Sequence, residues 1–252
     1  MRAVGVIPAR YRSSRFPGKP LALIAGKPLV QRVLERARAA RSLSRLLVAT
    51  DDERVRAAVE SAGGEAMMTS PEHASGTDRL AEVAGRIPAD AYVNVQGDEP
   101  LLDPLDIDRL VGCLAADRFV DMATLREPLP GAEAADDPNV VKVVCDAGGR
   151  ALYFSRSRIP HVRAGAPAPG GRPAVESRLW FRHVGLYAYR GAFLREFASW
   201  RPGPLETAEG LEQLRALERG RTIRVLTVRG RYIGVDAPHD IAAVERALRD
   251  GP

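Results

Sequence analysis

The first part of this 252-residue chain shows apolar runs and apolar periodicities in regular alternation. Short runs rich in β-branched residues, such as Ala3–Ile7 and Arg45–Thr50, predict buried strands. Apolar residues at three- and four-residue spacing, as in Pro28–Ala40 and Asp103–Ala116, predict amphipathic helices. Because strands alternate with helices, the pattern favours βαβ units and a parallel sheet. The same criteria predict two more helices, Asp52–Ala62 and Asp78–Ile87, and two more strands, Glu65–Thr69 and Ala91–Val95.

After about residue 120 the pattern changes, because strand-like segments follow one another with little helix between them. The predicted strands are Met122–Glu127, Val140–Asp146, Ala151–Ser155, Trp180–Tyr189, Ile223–Val228 and Tyr232–Val235. The predicted helices are Gly191–Trp200, Leu205–Glu218 and Pro238–Arg249. Glycines and prolines crowd His161–Arg178, which predicts a long loop. We therefore predict a single α/β domain with a mixed, mostly parallel sheet flanked by helices. Its core is residues 1–120, a smaller inserted lobe covers about 121–220, and residues 221–252 return to the core.

The amino-acid composition narrows the class of protein further. Hydrophobic residues make up 45% of the chain and charged residues 27%, which excludes an intrinsically disordered, collagen-like or coiled-coil protein. The formal net charge is +5, and only three of the 37 basic residues are Lys. An excess of positive charge is common in nucleic-acid-binding proteins, but these charges are dispersed and are not interleaved with aromatic residues. The charge pattern therefore favours a solvated surface with a few functional cations.

The two cysteines, Cys113 and Cys145, form neither a CxxC motif nor a cluster with histidines. Each lies in an apolar segment, so we expect small core residues in a reducing compartment. Arg10, Arg12 and Arg15 interrupt the start of the chain, and no apolar run reaches the length of a membrane span. These observations predict a cytoplasmic protein without a membrane partner.

The loop after the first predicted strand, residues 8–19, reads PARYRSSRFPGK. Phosphate-binding loops of α/β folds occupy this position. The loop is not a Walker A motif, because Ser13 replaces its first glycine and Pro20 replaces its Ser or Thr. Its cations are Arg10, Arg12, Arg15 and Lys19. Together with backbone N–H groups near Ser13 they predict an anion site, and the alternative is a solvated basic loop.

Two carboxylates stand beside predicted strands at points where the backbone turns. Asp98 lies in the segment QGDEP after Ala91–Val95, and Asp236 lies in GVDAP before Pro238. Mg²⁺ takes one or two protein carboxylates together with phosphate oxygens and water, so both are candidate ligands. For Asp236 the alternative is a helix N-cap. The neighbouring Glu99 is expected to be a solvated side chain.

Four motifs together resemble one enzyme family, and they read IPARYRSSRFPGKPL, HASGTDRL, VNVQGDEP and GVDAP. They look like segments of the 3-deoxy-manno-octulosonate (KDO) cytidylyltransferases, or CMP-KDO synthetases. The middle segments NVVKVV, ALYFSRS, RHVGLYAYR and LEQLR are similar too, and the order is kept from about Ala3 to Leu248. The resemblance implies a nucleotidyltransferase-type fold, CTP and KDO as substrates, Mg²⁺ as cofactor and a homodimer. The expected product is CMP-KDO for lipopolysaccharide synthesis, with pyrophosphate released.

The resemblance also implies roles for individual residues. Lys19 and Arg10 are expected to hold phosphates while Asp98 and Asp236 share the Mg²⁺, and these four form the expected catalytic set. The expected CTP-binding residues are Pro8, Ala9, Arg10, Ser13, Lys19, Ser75, Gly76 and Gln96. The expected sugar-binding residues are Arg15, Arg158, His183, Tyr187, Glu206, Glu209 and Gln213.

Spacing adds a geometric expectation to the sugar set. His183 and Tyr187 are an even number of residues apart on one predicted strand, so their side chains are expected on the same face. Glu206, Glu209 and Gln213 are spaced for one face of a single helix, and the alternative is an ordinary solvated helix face.

Two further local alternatives concern the HASGTDRL motif. Thr77 is an alternative helix N-cap there, in which case Ser75 and Gly76 need not contact the base. His73 is expected to be an ordinary loop histidine.

Three other functions are compatible with parts of the sequence. The nearest is CMP activation of a related acid sugar, such as sialate or an 8-amino KDO analogue. A basic nucleic-acid-binding protein is a second, although no recognised binding motif is present. A nucleotide-sugar-binding relative without activity is a third, but the presence of Lys19, Asp98 and Asp236 argues against it.

Overall fold

The computed structural model describes residues 1–12, 16–163, 179–228 and 232–250. The strands are β1 (Ala3–Ala9), β2 (Leu23–Ile24), β3 (Lys27–Pro28), β4 (Leu43–Thr50), β5 (Ala66–Met68), β6 (Ala91–Asn94), β7 (Met122–Pro128), β8 (Lys142–Cys145), β9 (Ala151–Ser155), β10 (Phe181–Arg190) and β11 (Ile223–Thr227). The helices are α1 (Leu29–Ala37), α2 (Glu53–Ser61), α3 (Gly76–Arg86), α4 (Pro104–Ala116), α5 (Ala132–Asp136), α6 (Gly191–Ser199), α7 (Pro204–Glu209), α8 (Leu214–Glu218) and α9 (Ile241–Asp250).

The chain forms two compact units. The first comprises Met1–Ala116, Leu186–Ala198 and Arg229–Pro252, and the second comprises Asp117–Gly185 and Ser199–Val228. The second unit shares most of its residues with the lobe predicted at about 121–220. Residues 186–198 belong to the first unit because β10 continues into it, and residues 221–228 belong to the second because β11 pairs with β7 there.

In the first unit β1 lies at the centre of the sheet. It pairs in parallel with β4 on one side and β6 on the other, β4 pairs in parallel with β5, and β6 pairs with the second half of β10 in antiparallel orientation. The apolar run of β1 is almost fully buried, as expected for a strand covered on both faces. The parallel strands β1, β4 and β6 end at the same edge, where α/β proteins bind ligands.

The second unit contains β7, which pairs in parallel with β11, and an antiparallel hairpin of β8 and β9. Strand β7 also neighbours β10, and β8 pairs with the first half of β10. Leu129, Ala135 and Trp180 form a small buried cluster in this unit. The unit therefore mixes parallel and antiparallel pairing, as the change of pattern after residue 120 predicts.

The structure confirms the type of most predicted elements, with ends that move by a few residues, and it corrects three. The predicted helix Leu205–Glu218 is wrong, because the chain forms α7 and α8 with a break at Gly210. Tyr232–Val235 is not a strand; the N–H of Val235 instead donates to the carbonyl of Asp98 in the loop after β6. Helix α5 was not predicted, because its five residues are too few to show a periodicity.

Neither cysteine forms a disulfide, and both are only partly buried. The prediction that they are core residues is therefore wrong. Burial raises the pKa of the Cys145 thiol. No helix in the described ranges has the length and apolar character that a membrane span needs. Most of the predicted loop His161–Arg178 lies outside the described residues.

Candidate active site

A cavity of about 430 Å³ lies in the first unit, where β1 and β6 end. Its lining residues are Pro8, Ala9, Arg10, Arg12, Lys19, Pro20, Gly76, Arg79, Gln96, Gly97 and Asp98. Most of the residues predicted to bind CTP therefore meet in one place. Ser13 and Arg15 lie outside the described residues.

The basic loop after β1 is folded so that Lys19 is presented at the cavity. The N–H of Gly18 donates to the carbonyl of Tyr11 at 2.9 Å, and Gly18 has a φ of 75°, a left-handed conformation that favours glycine. A short 3₁₀ turn, Lys19–Leu21, follows at once. Arg10 at the start of the loop donates to the carbonyl of His73 at 3.2 Å. The loop thus places two cations on one wall.

A glycine allows the loop after β6 to approach β1 closely. A Cβ atom added at Gly97 would lie 2.7 Å from the carbonyl oxygen of Pro8, which is too close for any other residue. This close approach brings Gln96 and Asp98 to the same cavity as the basic loop. The glycine in QGDEP is therefore required by packing of two loop backbones.

The N-terminus of α3 forms another part of the cavity wall. Ser75 is the N-cap: its hydroxyl accepts from the N–H of Asp78 at 3.1 Å, and the Asp78 carboxylate accepts from the N–H of Ser75 at 3.0 Å. This reciprocal pair is a capping box. The alternative that Thr77 is the N-cap is wrong, because Thr77 lies inside the helix and is buried. Gly76 lines the cavity.

Arg79 is a cavity residue that sequence reasoning missed. Its side chain is fully buried, and it donates to the Asp51 carboxylate at 3.1 Å and to the hydroxyl of Thr69. A buried guanidinium needs a compensating charge, which Asp51 supplies. The signal in the sequence was the loop Asp51–Asp52, which directly follows β4.

The two predicted metal carboxylates converge on one cation. The Lys19 ammonium lies 2.8 Å from Asp98 Oδ2 and 3.8 Å from Asp236 Oδ1. The Lys19 and Asp98 side chains are 20% and 29% exposed, whereas that of Asp236 is 76% exposed. The carboxylates therefore already share a positive charge, and a pair of oxygen donors of this kind suits Mg²⁺. In the part of the chain that the structure describes, no group of three or more potential ligands forms a larger metal cluster.

The structure also decides between the two interpretations of Asp236. Its carboxylate does not cap the following turn. Instead the Asp240 carboxylate accepts from the N–H groups of Asp236 and Ala237, each at 2.8 Å. The N-cap alternative is therefore wrong, and the Asp236 side chain is free to face Lys19.

His73 is more than an ordinary loop histidine. Its Nε2 lies 2.5 Å from a carboxylate oxygen of Glu82 on α3, and the pKa of Glu82 is lowered by the N–H of Ser70 and by His73. Since Arg10 donates to the backbone of His73, the His73–Glu82 pair helps to hold Arg10 in its position at the cavity.

Two of the residues predicted for the sugar, Glu206 and Glu209, make well-defined contacts in the second unit. Arg215 binds the buried Glu206 through two nitrogens, at 2.7 and 2.6 Å. Glu209 accepts from the hydroxyl of Ser155 at 2.6 Å and the N–H of Arg156 at 2.9 Å. Both carboxylates therefore hold parts of the second unit together.

Glu206, Glu209 and Gln213 do not share one helix face, because the left-handed Gly210 ends α7. Gln213 instead lies just before α8, and its amide nitrogen is buried without a hydrogen-bond partner among the described residues. Arg158 pairs with Asp136 at 3.0 Å. Tyr187 lies on β10 within the first unit.

His183 is held as a neutral imidazole. Its Nε2 lies 3.0 Å from the hydroxyl of Thr124, which in turn donates to the carbonyl of Val184 at 3.2 Å. The Thr124 oxygen therefore accepts from His183 Nε2–H. The Phe154 ring packs edge-on against the imidazole, with centroids 5.1 Å apart. Burial, helped by the positive charge of the nearby Arg182, lowers the pKa of His183 to about 3.

Known proteins with similar sequences identify the family of this chain. A family model described as cytidylyltransferase matches residues 4–223. The 3-deoxy-manno-octulosonate cytidylyltransferase of Syntrophotalea carbinolica is 52% identical over 249 residues and covers 99% of both chains. That of Geobacter sulfurreducens is 51% identical and covers 99% of this chain and all of its own. The chain belongs to the 3-deoxy-manno-octulosonate cytidylyltransferase family.

Solved structures agree with membership of this cytidylyltransferase family. A CMP:2-keto-3-deoxy-manno-octonic acid synthetase in complex with CTP superposes with a TM-score of 0.91 at 43% identity, and 99% of each chain is covered. A cytidylyltransferase from Leptospira borgpetersenii shares only 14% identity, yet it superposes with a TM-score of 0.63 over all of this chain and 88% of its own. The second comparison shows the nucleotidyltransferase fold alone, which the motif resemblance predicts.

Proposed function

We propose that this cytidylyltransferase transfers CMP from CTP to the 2-hydroxyl of KDO, releasing pyrophosphate and forming CMP-KDO for lipopolysaccharide synthesis. The observation that carries the proposal is the cavity at the ends of β1 and β6, which Arg10, Arg12, Lys19 and Asp98 line together, with Lys19 paired to Asp98. Both substrates are anions, so a site that joins them needs positive charge. The relatives that match the whole chain are named for this reaction.

The cations of the cavity are proposed to bind the triphosphate. Arg10 and Lys19 hold phosphate oxygens, the capped N-terminus of α3 at Gly76 lies beside the base, and Gln96 reaches the ribose or the sugar. A new bond then forms between the sugar 2-oxygen and the α-phosphorus, the bond to pyrophosphate breaks, and the hydroxyl proton is released to solvent. The protein contributes by holding the reacting groups in line and by stabilising negative charge. Pro8, Ala9, Ser13 and Ser75 complete the proposed CTP set.

Asp98 and Asp236 are proposed to hold Mg²⁺. They already converge on the Lys19 ammonium, which shows that a cation between them is compensated. When bound, Mg²⁺ neutralises charge on the triphosphate and polarises the α-phosphate. Lys19 would then exchange carboxylate oxygens for phosphate oxygens. Removal of the metal by EDTA is expected to abolish turnover, and added Mg²⁺ is expected to restore it.

For the acid sugar we retain the residues that the resemblance implies, Arg15, Arg158, His183, Tyr187, Glu206, Glu209 and Gln213. The contacts of Glu206 and Glu209 indicate that these two also hold the second unit in place. His183 acts only as a neutral hydrogen-bonding group near neutral pH, because its pKa is about 3. We further propose a cytoplasmic homodimer, and light scattering of the purified chain tests the assembly.

Pyrophosphate release tests the reaction directly. The purified chain is incubated with CTP, Mg²⁺ and one acid sugar at a time: KDO, sialate or an 8-amino KDO analogue. We expect rapid release with KDO and much slower release with the others. Release with sialate or the amino analogue but not KDO would overturn the proposed substrate. No release with any sugar while CTP still binds would favour the inactive relative.

A further inference from the structure

The segment that carries Asp236 has no regular secondary structure of its own. Its carboxylate is 76% exposed and touches Lys19 only at 3.8 Å. A loop of this kind samples many conformations unless buried contacts hold it. The position of Asp236 relative to Asp98 therefore depends on how residues 232–237 are attached to the rest of the first unit.

A buried hydrogen bond attaches one end of this segment. The hydroxyl of Tyr232 donates to Asp106 Oδ2 at 3.1 Å, and the two residues are 126 positions apart in the sequence. Tyr232 is 4% exposed and Asp106 is fully buried. The other oxygen of Asp106 accepts from Arg109 at 2.6 Å, so the carboxylate has a fixed orientation and a compensating charge.

The acceptor belongs to the same stretch of chain as Asp98. Asp106 is in the first turn of α4, and the QGDEP loop leads into that helix through a short turn in which the N–H of Leu102 donates to the carbonyl of Glu99 at 3.2 Å. A second link runs directly between the two carboxylate segments, because the N–H of the buried Val235 donates to the carbonyl of Asp98 at 2.9 Å. Tyr232 and Val235 thus join the Asp236 segment to the Asp98 segment at two points.

We infer that the buried Tyr232–Asp106 hydrogen bond positions the Asp236 carboxylate beside Asp98, and that Tyr232 is thereby a positioning residue for metal-dependent CTP binding. The inference rests on the proposed function. Tyr232 lines no part of the cavity, so it acts through the segment and not by contact with the nucleotide. Its loss loosens one attachment point while Val235 keeps the segment near its place.

The affinity for CTP in the absence of an acid sugar tests the role of Tyr232, because without the second substrate no turnover disturbs the binding measurement. Calorimetric titration of the full chain at stepped Mg²⁺ concentrations gives the CTP affinity with and without metal. For Tyr232→Phe we expect the tightening of CTP binding by Mg²⁺ to fall about fivefold, with metal-free affinity unchanged, since a single buried hydrogen bond is lost. Tyr92→Phe is the matched control: it removes an equally buried hydroxyl, which donates to the carbonyl of Ile87 at 2.7 Å, and is expected to leave the Mg²⁺ effect intact.

A second variant separates positioning from general loss of stability. Asp106→Asn keeps an acceptor for the Tyr232 hydroxyl but removes the charge that pairs with Arg109, so it is expected to lower the melting temperature while leaving most of the Mg²⁺ effect unchanged. An unchanged Mg²⁺ effect in Tyr232→Phe, or an equal loss in Tyr92→Phe, would overturn the inference while leaving the proposed function intact. Wild-type binding that does not depend on Mg²⁺ would instead overturn the proposed metal role and the inference with it.

Discussion

At the scale of single residues, the candidate site depends on charges that compensate one another before any substrate arrives. Lys19 stands between Asp98 and Asp236, and Arg79 is neutralised by Asp51. Such pairs keep cations in a cavity without the cost of burying them alone. Under the proposed function, a phosphate or a metal ion would replace one partner at a time, so that no buried charge is left uncompensated.

The first prediction concerns the two carboxylates. Asp98→Asn and Asp236→Asn are each expected to lower kcat by about two orders of magnitude or more, because each removes charge that would hold the metal against the triphosphate. Asn is nearly isosteric, so the melting temperature is expected to change little. Steady-state pyrophosphate release and circular dichroism check both points. Asp108→Asn on α4, which accepts from the N–H of Ser42 outside the cavity, is the control, and near-normal turnover of either site variant would assign that residue a structural role.

The second prediction follows from the neutral imidazole of His183. Its pKa is lowered from 6.5 to about 3 in the folded protein, so below pH 6.5 the unfolded chain binds a proton that the folded chain does not. This histidine therefore costs stability as the pH falls from 6.5 towards 3. Between pH 7.5 and pH 5 the free energy of unfolding of the wild type is expected to fall by about 2 kcal/mol more than that of His183→Gln.

Urea unfolding at stepped pH measures this difference. His239→Gln serves as the control, because His239 has an 84% exposed side chain and its replacement is expected to keep the wild-type pH dependence. Parallel pH profiles for wild type and His183→Gln would contradict a neutral imidazole in the folded protein.

At the scale of elements, the break between α7 and α8 shows how one glycine divides a helical pattern. Gly210 has a φ of 63°, and its N–H donates to the carbonyl of Glu206 at 2.7 Å, which closes the last turn of α7. The residues on either side have helical spacing in the sequence, so periodicity alone does not reveal the break. The left-handed glycine at the end of a helix is a common C-terminal signal.

The third prediction tests this break. Gly210→Ala is expected to lower the free energy of unfolding by about 1 kcal/mol, because alanine is disfavoured at positive φ. In a continuous helix the same change would stabilise the protein by a similar amount. Gly112→Ala is the matched control inside α4: nothing lies within 4 Å of the added Cβ, and stabilisation is expected. Urea unfolding measures the free energy of unfolding of both variants. A higher value for Gly210→Ala than for the wild type would contradict the left-handed conformation of Gly210.

At the scale of the whole molecule, the basic residues that give the net charge of +5 fall into two groups. Many arginines form local surface ion pairs, such as Arg45 with Glu65, Arg56 with Glu53 and Arg86 with Glu82. A smaller set, which includes Arg10 and Lys19, faces the cavity. The first group adds little affinity for a polyanion because its charge is locally balanced.

The fourth prediction is that the protein does not bind nucleic acid. At about 150 mM salt, filter binding of a short DNA duplex is expected to show no saturation at micromolar protein, whereas phosphate-contacting proteins bind in that range. CTP binding by the same preparation confirms that the protein is folded. Tight binding that weakens steeply with salt would favour the nucleic-acid hypothesis.

The sequence by itself determined the alternation of strands and helices, the basic loop after β1 and the motifs of the cytidylyltransferase family. These features are local, since they depend on periodicity and on short runs of particular residues. The family motifs also indicated most residues of the cavity, because its walls are the loops in which those motifs lie. Local patterns are sufficient for such features because neighbouring residues in the chain decide them.

Only the tertiary structure decided which groups meet across long separations. It placed Lys19 between two carboxylates, identified Ser75 and not Thr77 as the cap of α3, and joined Tyr232 to Asp106 over 126 positions. Several local arrangements satisfy the same sequence pattern, and packing selects the one that pairs most buried charges and hydrogen-bonding groups. That selection requires partners from distant parts of the chain, which periodicity and composition do not specify.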